Sequence, residues 1–184
     1  MFGVAPIRVP TANFVTFFGD VKGEKQCGNG VFVQGKVLTL AHVFDHAQSL
    51  KIGGEIVELA KLDGIKRKPY TCADDALITI PLKRALPGSS KIRLAPEPAG
   101  VGDALWGQPV LSGVGHYTTG VVRTRSPTEG SGQYCYTVST STQPGSSGSP
   151  FFVTEQDKVY LLGLHMGATA GGNVILSVSH SDFH

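Results

Sequence analysis

Cysteine is scarce in this 184-residue chain, and its three copies, Cys27, Cys72 and Cys135, are odd in number with no C-x-x-C spacing. A disulfide framework of the secreted kind is therefore not expected, and reduced thiols in a cytosol are. Together with His116 the cysteines match no zinc-ligand spacing, so neither a metal nor a cofactor is expected. An excess of one charge is missing too. Lysine and arginine number 16 against 14 acids, a formal net charge of +2, too mild to argue nucleic-acid binding from composition. No stretch approaches the roughly 18 to 20 apolar residues that cross a bilayer. Residues 1–10 lack the basic-then-apolar pattern of a signal peptide, so the chain reads as soluble. Helical periodicity is also sparse: one turn around residues 41–47 and a short helix near the C-terminus are the only helices expected.

What the chain does have is punctuation. Its 24 glycines and 11 prolines separate short runs of valine, isoleucine, leucine and phenylalanine, the pattern of many short strands. Strands are predicted over residues 13–18, 30–33, 36–40, 49–52, 55–62, 76–80, 104–106, 110–115, 117–125, 134–138, 150–153, 159–165 and 173–178. The run 81–102, with Pro87, Pro96 and Pro98, has little periodicity and reads as a connection between two lobes. An all-β protein of two six-stranded antiparallel barrels follows, since closure removes exposed sheet edges. Residues 1–80 would form the first barrel, 81–102 the connection and 103–184 the second barrel.

Three segments carry chemistry. Gly145-Ser146-Ser147-Gly148-Ser149-Pro150 places Ser147 between glycines that permit a sharp turn, so that the amides of Gly145 and Ser147 can converge on a developing oxyanion. His42 follows the runs Gly30-Val31-Phe32-Val33 and Val37-Leu38-Thr39-Leu40 at the head of a small-residue turn. Asp74-Asp75-Ala76-Leu77-Ile78 puts paired acids before a strand. A serine hydroxyl needs an imidazole to take its proton and a carboxylate to orient that imidazole, and these segments supply all three in the order His, Asp, Ser. Period-two alternation lets only one of the paired acids reach the imidazole. Asp74 is the expected acid, with Asp75 the alternative.

These segments resemble those of chymotrypsin-like serine proteases, whose texts run G-S-G-x-V…V-T-A-A-H, D-x-A-L-L and G-x-S-G. The resemblance implies the two-barrel fold with the active site in the cleft, and His42, Asp74 and Ser147 as catalytic residues. The short interval between His42 and Asp74, and serine rather than aspartate at position 146, resemble viral members. Gly163-Leu164-His165-Met166-Gly167 is similar to the G-x-H-x-G element of positive-strand RNA virus proteases, in which that histidine and a threonine five residues before the nucleophile, here Thr142, line the pocket for the residue preceding the cut. Both can donate hydrogen bonds to a side-chain carbonyl or carboxylate, which implies cleavage after Glu or Gln. Met166, Gly167 and Ala168 would pair with substrate backbone as an edge strand. The texts look most like sobemovirus and polerovirus proteases, implying a replicase polyprotein cleaved in cis and in trans in the host cytoplasm, with any membrane anchor in a flanking region. Two further readings are an RNA-binding role through Lys66-Arg67-Lys68 and Lys91-Ile92-Arg93, and a non-viral intracellular peptidase of the same fold.

Overall fold

The computed structural model describes residues 13–83, 92–107, 110–111, 114–115, 118–129, 133–140, 147–169 and 172–179. It is nearly all β. The first half holds β1 (Phe14–Phe18), β2 (Gln26–Val33), β3 (Lys36–Leu40), the one-turn helix α1 (Ala41–Phe44), β4 (Ser49–Ile52), β5 (Glu55–Glu58), β6 (Lys66–Pro69) and β7 (Ala76–Pro81). These strands form one sheet in the order β5-β4-β1-β2-β3-β7-β6. The second half holds β8 (Arg93–Leu94), β9 (Ala104–Gly107), β10 (Val110–Leu111), β11 (Val114–Gly115), β12 (Thr118–Pro127), β13 (Tyr134–Val138), β14 (Pro150–Glu155), β15 (Lys158–Thr169) and β16 (Gly172–Ser177). Here β14-β9-β12-β13-β16-β15 run in order and the β14–β15 pairing closes them into a six-stranded barrel. The expected connection is partly built into that sheet, because β8 pairs in parallel with β15, Tyr160 facing Arg93. The small β10–β11 hairpin stands apart.

Side-chain parity explains how the halves meet. In β7, Ala76, Ile78 and Ile80 point into the core of the first sheet with Phe32 and Val37. Leu77 points the other way, into a core shared with Leu40 and Val31 of the first half and Trp106, Phe152, Leu161 and Leu164 of the second. Strands β2, β3 and β7 are thus walls buried on both faces, which is why β7 is nearly all apolar, with Thr79 its one polar residue. The second barrel has its own core, including Leu105, Tyr136, Phe151, Val153 and Ile175. Two-residue turns with positive φ at both positions, Gln34-Gly35 and Gln156-Asp157, give hairpins whose twist matches their strands.

The structure corrects one expectation about the cysteines. Cys72 and Cys135 are joined in a disulfide across 63 residues, and Cys27 is the free thiol. Closing a loop of that length removes roughly 4 kcal/mol of chain entropy from the unfolded state. The odd count concealed a pair: Cys72 precedes β7 in the first half and Cys135 lies on β13 in the second, so no short spacing announces it. Strand β6 was also not expected, because Lys66, Arg67 and Lys68 make it a charged edge strand rather than an apolar run.

Candidate active site

His42 sits in α1, directly after β3. The helix packs tightly on β2: a Cβ at Gly28 would lie 2.5 Å from the Val43 side chain, so only glycine admits this approach. The His42 side chain is 40% exposed and faces Asp75, whose side chain is 2% exposed. Nδ1 of His42 lies 2.6 Å from Oδ2 of Asp75. Oδ1 of Asp75 accepts the amides of Ala76 at 2.9 Å and of His42 at 3.3 Å. Burial pushes the Asp75 carboxyl pKa up, but the His42 ring and these amides outweigh burial and hold it below its ordinary value.

Asp75, and not Asp74, therefore meets the imidazole, and the expectation for Asp74 is corrected. The reason is the parity of β7. Asp75 shares a face with Leu77, which looks toward the second barrel. Asp74 shares its parity with Ala76, Ile78 and Ile80 on the opposite face, and it is exposed.

Ser147 is brought to the same place by contacts between the barrels. The amide of Asn29 on β2 donates to the Ser147 carbonyl at 2.9 Å, and the Asn29 Nδ2 donates to it at 3.4 Å. The Thr39 hydroxyl, three residues before His42, donates to the Asn29 carbonyl at 2.8 Å. Gly148 has φ +84°, and a Cβ there would fall 1.9 Å from the Asn29 carbonyl oxygen. The turn bearing Ser147 thus presses backbone to backbone on the wall that carries His42. Asn29 and Thr39 were not singled out from the sequence, although both stand within the Gly28-Asn29-Gly30 and Leu38-Thr39-Leu40-Ala41-His42 texts that lead to His42. The Ser147 hydroxyl donates to the Met166 carbonyl at 3.5 Å, and among the described residues no hydrogen bond joins it to His42. Hydrogen bonds of such sites are commonly loose before substrate binds. The Ser147 amide has no acceptor among the described residues. Thr142 and Gly145, the expected pocket threonine and second oxyanion donor, lie outside the described residues.

The expected pocket histidine, His165, is 3% exposed on β15, with its ring 6.0 Å from that of Phe151. Its backbone is clamped to the Ser147 turn: Gly148 donates to the His165 carbonyl at 2.7 Å, and His165 donates to the Ser149 carbonyl at 2.9 Å. Its Nε2 lies 3.3 Å from Asn173 Oδ1. Asn173 Nδ2 donates to the Thr140 carbonyl, which turns the amide oxygen toward the imidazole and makes Nε2 the donor. Met166 is the bulged residue between His165 and Gly167 in the β15–β16 ladder. β14 leaves β15 at Leu164, so beyond the His165 clamp the Met166-Gly167-Ala168 edge has no partner strand on that side among the described residues. A Cβ at Gly167 would meet nothing within 4 Å. Among the described residues no group of His, Cys, Asp and Glu is placed to hold a metal, and no helix is long and apolar enough to cross a membrane.

Residues 28–163, well over half of the chain, match the family model for the trypsin-like peptidase domain. No curated protein matches the sequence. Among solved structures, a human pathogenic astrovirus serine protease superposes with a TM-score of 0.61 at 19% identity, over 96% of this chain and 96% of that one. An inactive form of Rv3671c from M. tuberculosis gives 0.60 at 19% identity, over 100% and 94%. The NS6 protease of murine norovirus 1 gives 0.58 at 19% identity, over 90% and 89%. At these identities the neighbours speak for the two-barrel fold, and the matched domain, spanning His42, Asp75 and Ser147, carries the classification: the chain belongs to the trypsin-like peptidase family and is a protease.

Proposed function

We propose that the protein is a serine endopeptidase in which Ser147, His42 and Asp75 form the catalytic triad. The observation that carries this reading is the His42–Asp75 contact of 2.6 Å on the wall that also grips the Ser147 carbonyl through Asn29. His42 Nε2 takes the proton as Ser147 Oγ attacks the scissile carbonyl, while Asp75 holds Nδ1–H and stabilises the imidazolium. The Ser147 amide, with that of Gly145, receives the oxyanion. His42 then protonates the leaving amine, and water releases the acyl group by the same steps in reverse. Substrate lies along the open Met166-Gly167-Ala168 edge as an added strand.

His165 reads the side chain before the cut, and its Nε2–H is the donor that a Glu or Gln side chain would take over from Asn173, with Thr142 beside it. A viral replicase polyprotein, cut in cis and in trans, is the substrate this pocket and the sequence resemblance favour. Placement in the host cytoplasm loses the support of unpaired cysteines, since two of the three are joined. The RNA-binding alternative gains nothing from Arg67, which is paired with Asp45 at 2.5 Å.

The test is twofold. A fluorophosphonate should label Ser147 and abolish peptide cleavage, and Ser147→Ala should cost on the order of a million-fold in kcat. Cleavage undiminished in that variant overturns the reading. A peptide library should show Glu or Gln before the cut, with the preference relaxed in His165→Ala; an aromatic or basic preference overturns the pocket assignment alone.

A further inference from the structure

The loop that delivers Asp75 belongs by sequence to the first barrel, yet its middle is fastened to the second. Tyr70 donates its amide to the Asp75 carbonyl at 3.0 Å, closing residues 70–75 into a compact loop. Three consecutive residues of that loop then reach across the barrel boundary. The Tyr70 hydroxyl donates to the Ser177 carbonyl at 2.6 Å. The Thr71 hydroxyl accepts the amide of Glu129 at 2.8 Å. Cys72, whose Sγ lies 2.9 Å from the Thr128 hydroxyl, is bonded to Cys135 on β13, a residue 7% exposed. Cys72 stands three residues before the acid.

We propose that the Cys72–Cys135 bridge is a positioning element for the triad, which holds the Asp75 loop in register with the barrel that carries Ser147 and so makes proteolysis respond to thiol redox state. This rests on the serine-protease reading above. The acid and imidazole move with the first barrel and the nucleophile with the second, so a covalent tie beside the acid limits how far the two sets can slip. The Tyr70 hydrogen bond is buried, whereas that of Thr71 is exposed and can exchange with water; the disulfide cannot. Reduction needs a dithiol. Its first thiolate attacks one sulfur of the bridge and its second closes it into a cyclic disulfide. Two electrons and two protons thereby pass to the protein, leaving Cys72 and Cys135 as thiols. The free cysteine competes poorly for exchange, since burial raises the pKa of the Cys27 thiol.

The full chain is prepared without reductant, and its thiols are counted after denaturation. One is expected, Cys27, rising to three after dithiothreitol. Three thiols before reduction overturn the proposal. Peptide hydrolysis is then compared in the two states of one preparation, with far-UV circular dichroism and the low-field proton resonance of the His42 Nδ1–H to Asp75 hydrogen bond. Reduction should leave the dichroism unchanged, broaden or remove that resonance, and lower kcat by roughly tenfold or more with KM within about twofold, as a shift on the ångström scale would. Reoxidation should restore all three. Equal kcat and an unchanged resonance overturn the proposal, as does lost dichroism, because the bridge would then hold the fold rather than the acid. The pair Cys72→Ala and Cys135→Ala should behave as the reduced protein and ignore dithiothreitol; should it fail to fold, the reduced wild type decides. Absence of cleavage and of fluorophosphonate labelling in the oxidised protein overturns the protease reading instead, and the His42 resonance still decides the bridge.

Discussion

Gly148→Ala puts the contact between the barrels to its sharpest trial. The new Cβ would lie 1.9 Å from the Asn29 carbonyl oxygen and 3.3 Å from the Thr39 hydroxyl, at a φ of +84°. Heavy atoms settle at about 3.5 Å, so more than about 1 Å of relief is needed. Asn29 cannot supply it: it pairs with Thr16 on β1, and its carbonyl is held by Thr39 at 2.8 Å. The turn bearing Ser147 must move instead. The left-handed backbone costs a β-carbon residue roughly 1–2 kcal/mol, and overpacking about 1–3 kcal/mol. For a chain of this size each kcal/mol lowers Tm by about 2–4 °C. Displacing the nucleophile by about 1 Å should cost on the order of 10²-fold in kcat. The assay is steady-state peptide hydrolysis beside a thermal melt, with Gly167→Ala, whose Cβ meets nothing, as a variant whose Tm should not change. A Gly148→Ala enzyme with kcat within about threefold of wild type would refute the argument that Asn29 seats Ser147.

Other outcomes follow from the same site. The Ser149 hydroxyl is buried without a partner among the described residues; Ser149→Ala should therefore leave Tm unchanged or slightly raised and peptide cleavage intact, whereas loss of cleavage would make Ser149 a rival nucleophile. Asp75 is held below its ordinary carboxyl pKa of 3.8, so its contribution to stability is complete above that value and is lost as pH falls through the depressed one. Melting curves between pH 2 and 4 should accordingly fall less steeply with acid in Asp75→Asn than in wild type, and parallel curves would contradict the shift.

His42 and Ser147 were legible because their signals are local. The texts around them record close approaches, such as Val43 over Gly28 and Asn29 against Gly148, that sterics force on neighbouring glycines. The choice between Asp74 and Asp75 was not local. Two identical acids side by side differ only in which face of β7 they share, and that is set by which apolar residues find the shared core and which the inner one. Ala76 and Ile78 against Leu77 carry that information, but only once the barrels are placed. The Cys72–Cys135 bond and the grip of Asn29 on Ser147 join residues 63 and 118 positions apart. Pairings of that kind emerge from the fold and leave no spacing to read. The all-β class and most of the longer strands were open to pattern because alternation and turns are properties of single segments, whereas the charged edge strand β6 and the two-residue strand β8 carry no such pattern.

The measurement that bears most directly on the account is kcat/KM for peptide hydrolysis by Asp75→Asn set beside Asp74→Asn. A triad acid replaced by its amide leaves the imidazole in the wrong tautomer and costs about 10⁴-fold. Asp75→Asn should show that loss with Ser147 still in place, and exposed Asp74→Asn should stay within about twofold of wild type. A large loss confined to Asp74→Asn, or wild-type activity in Asp75→Asn, would contradict the assignment of the His42–Asp75 pair as the engine of catalysis.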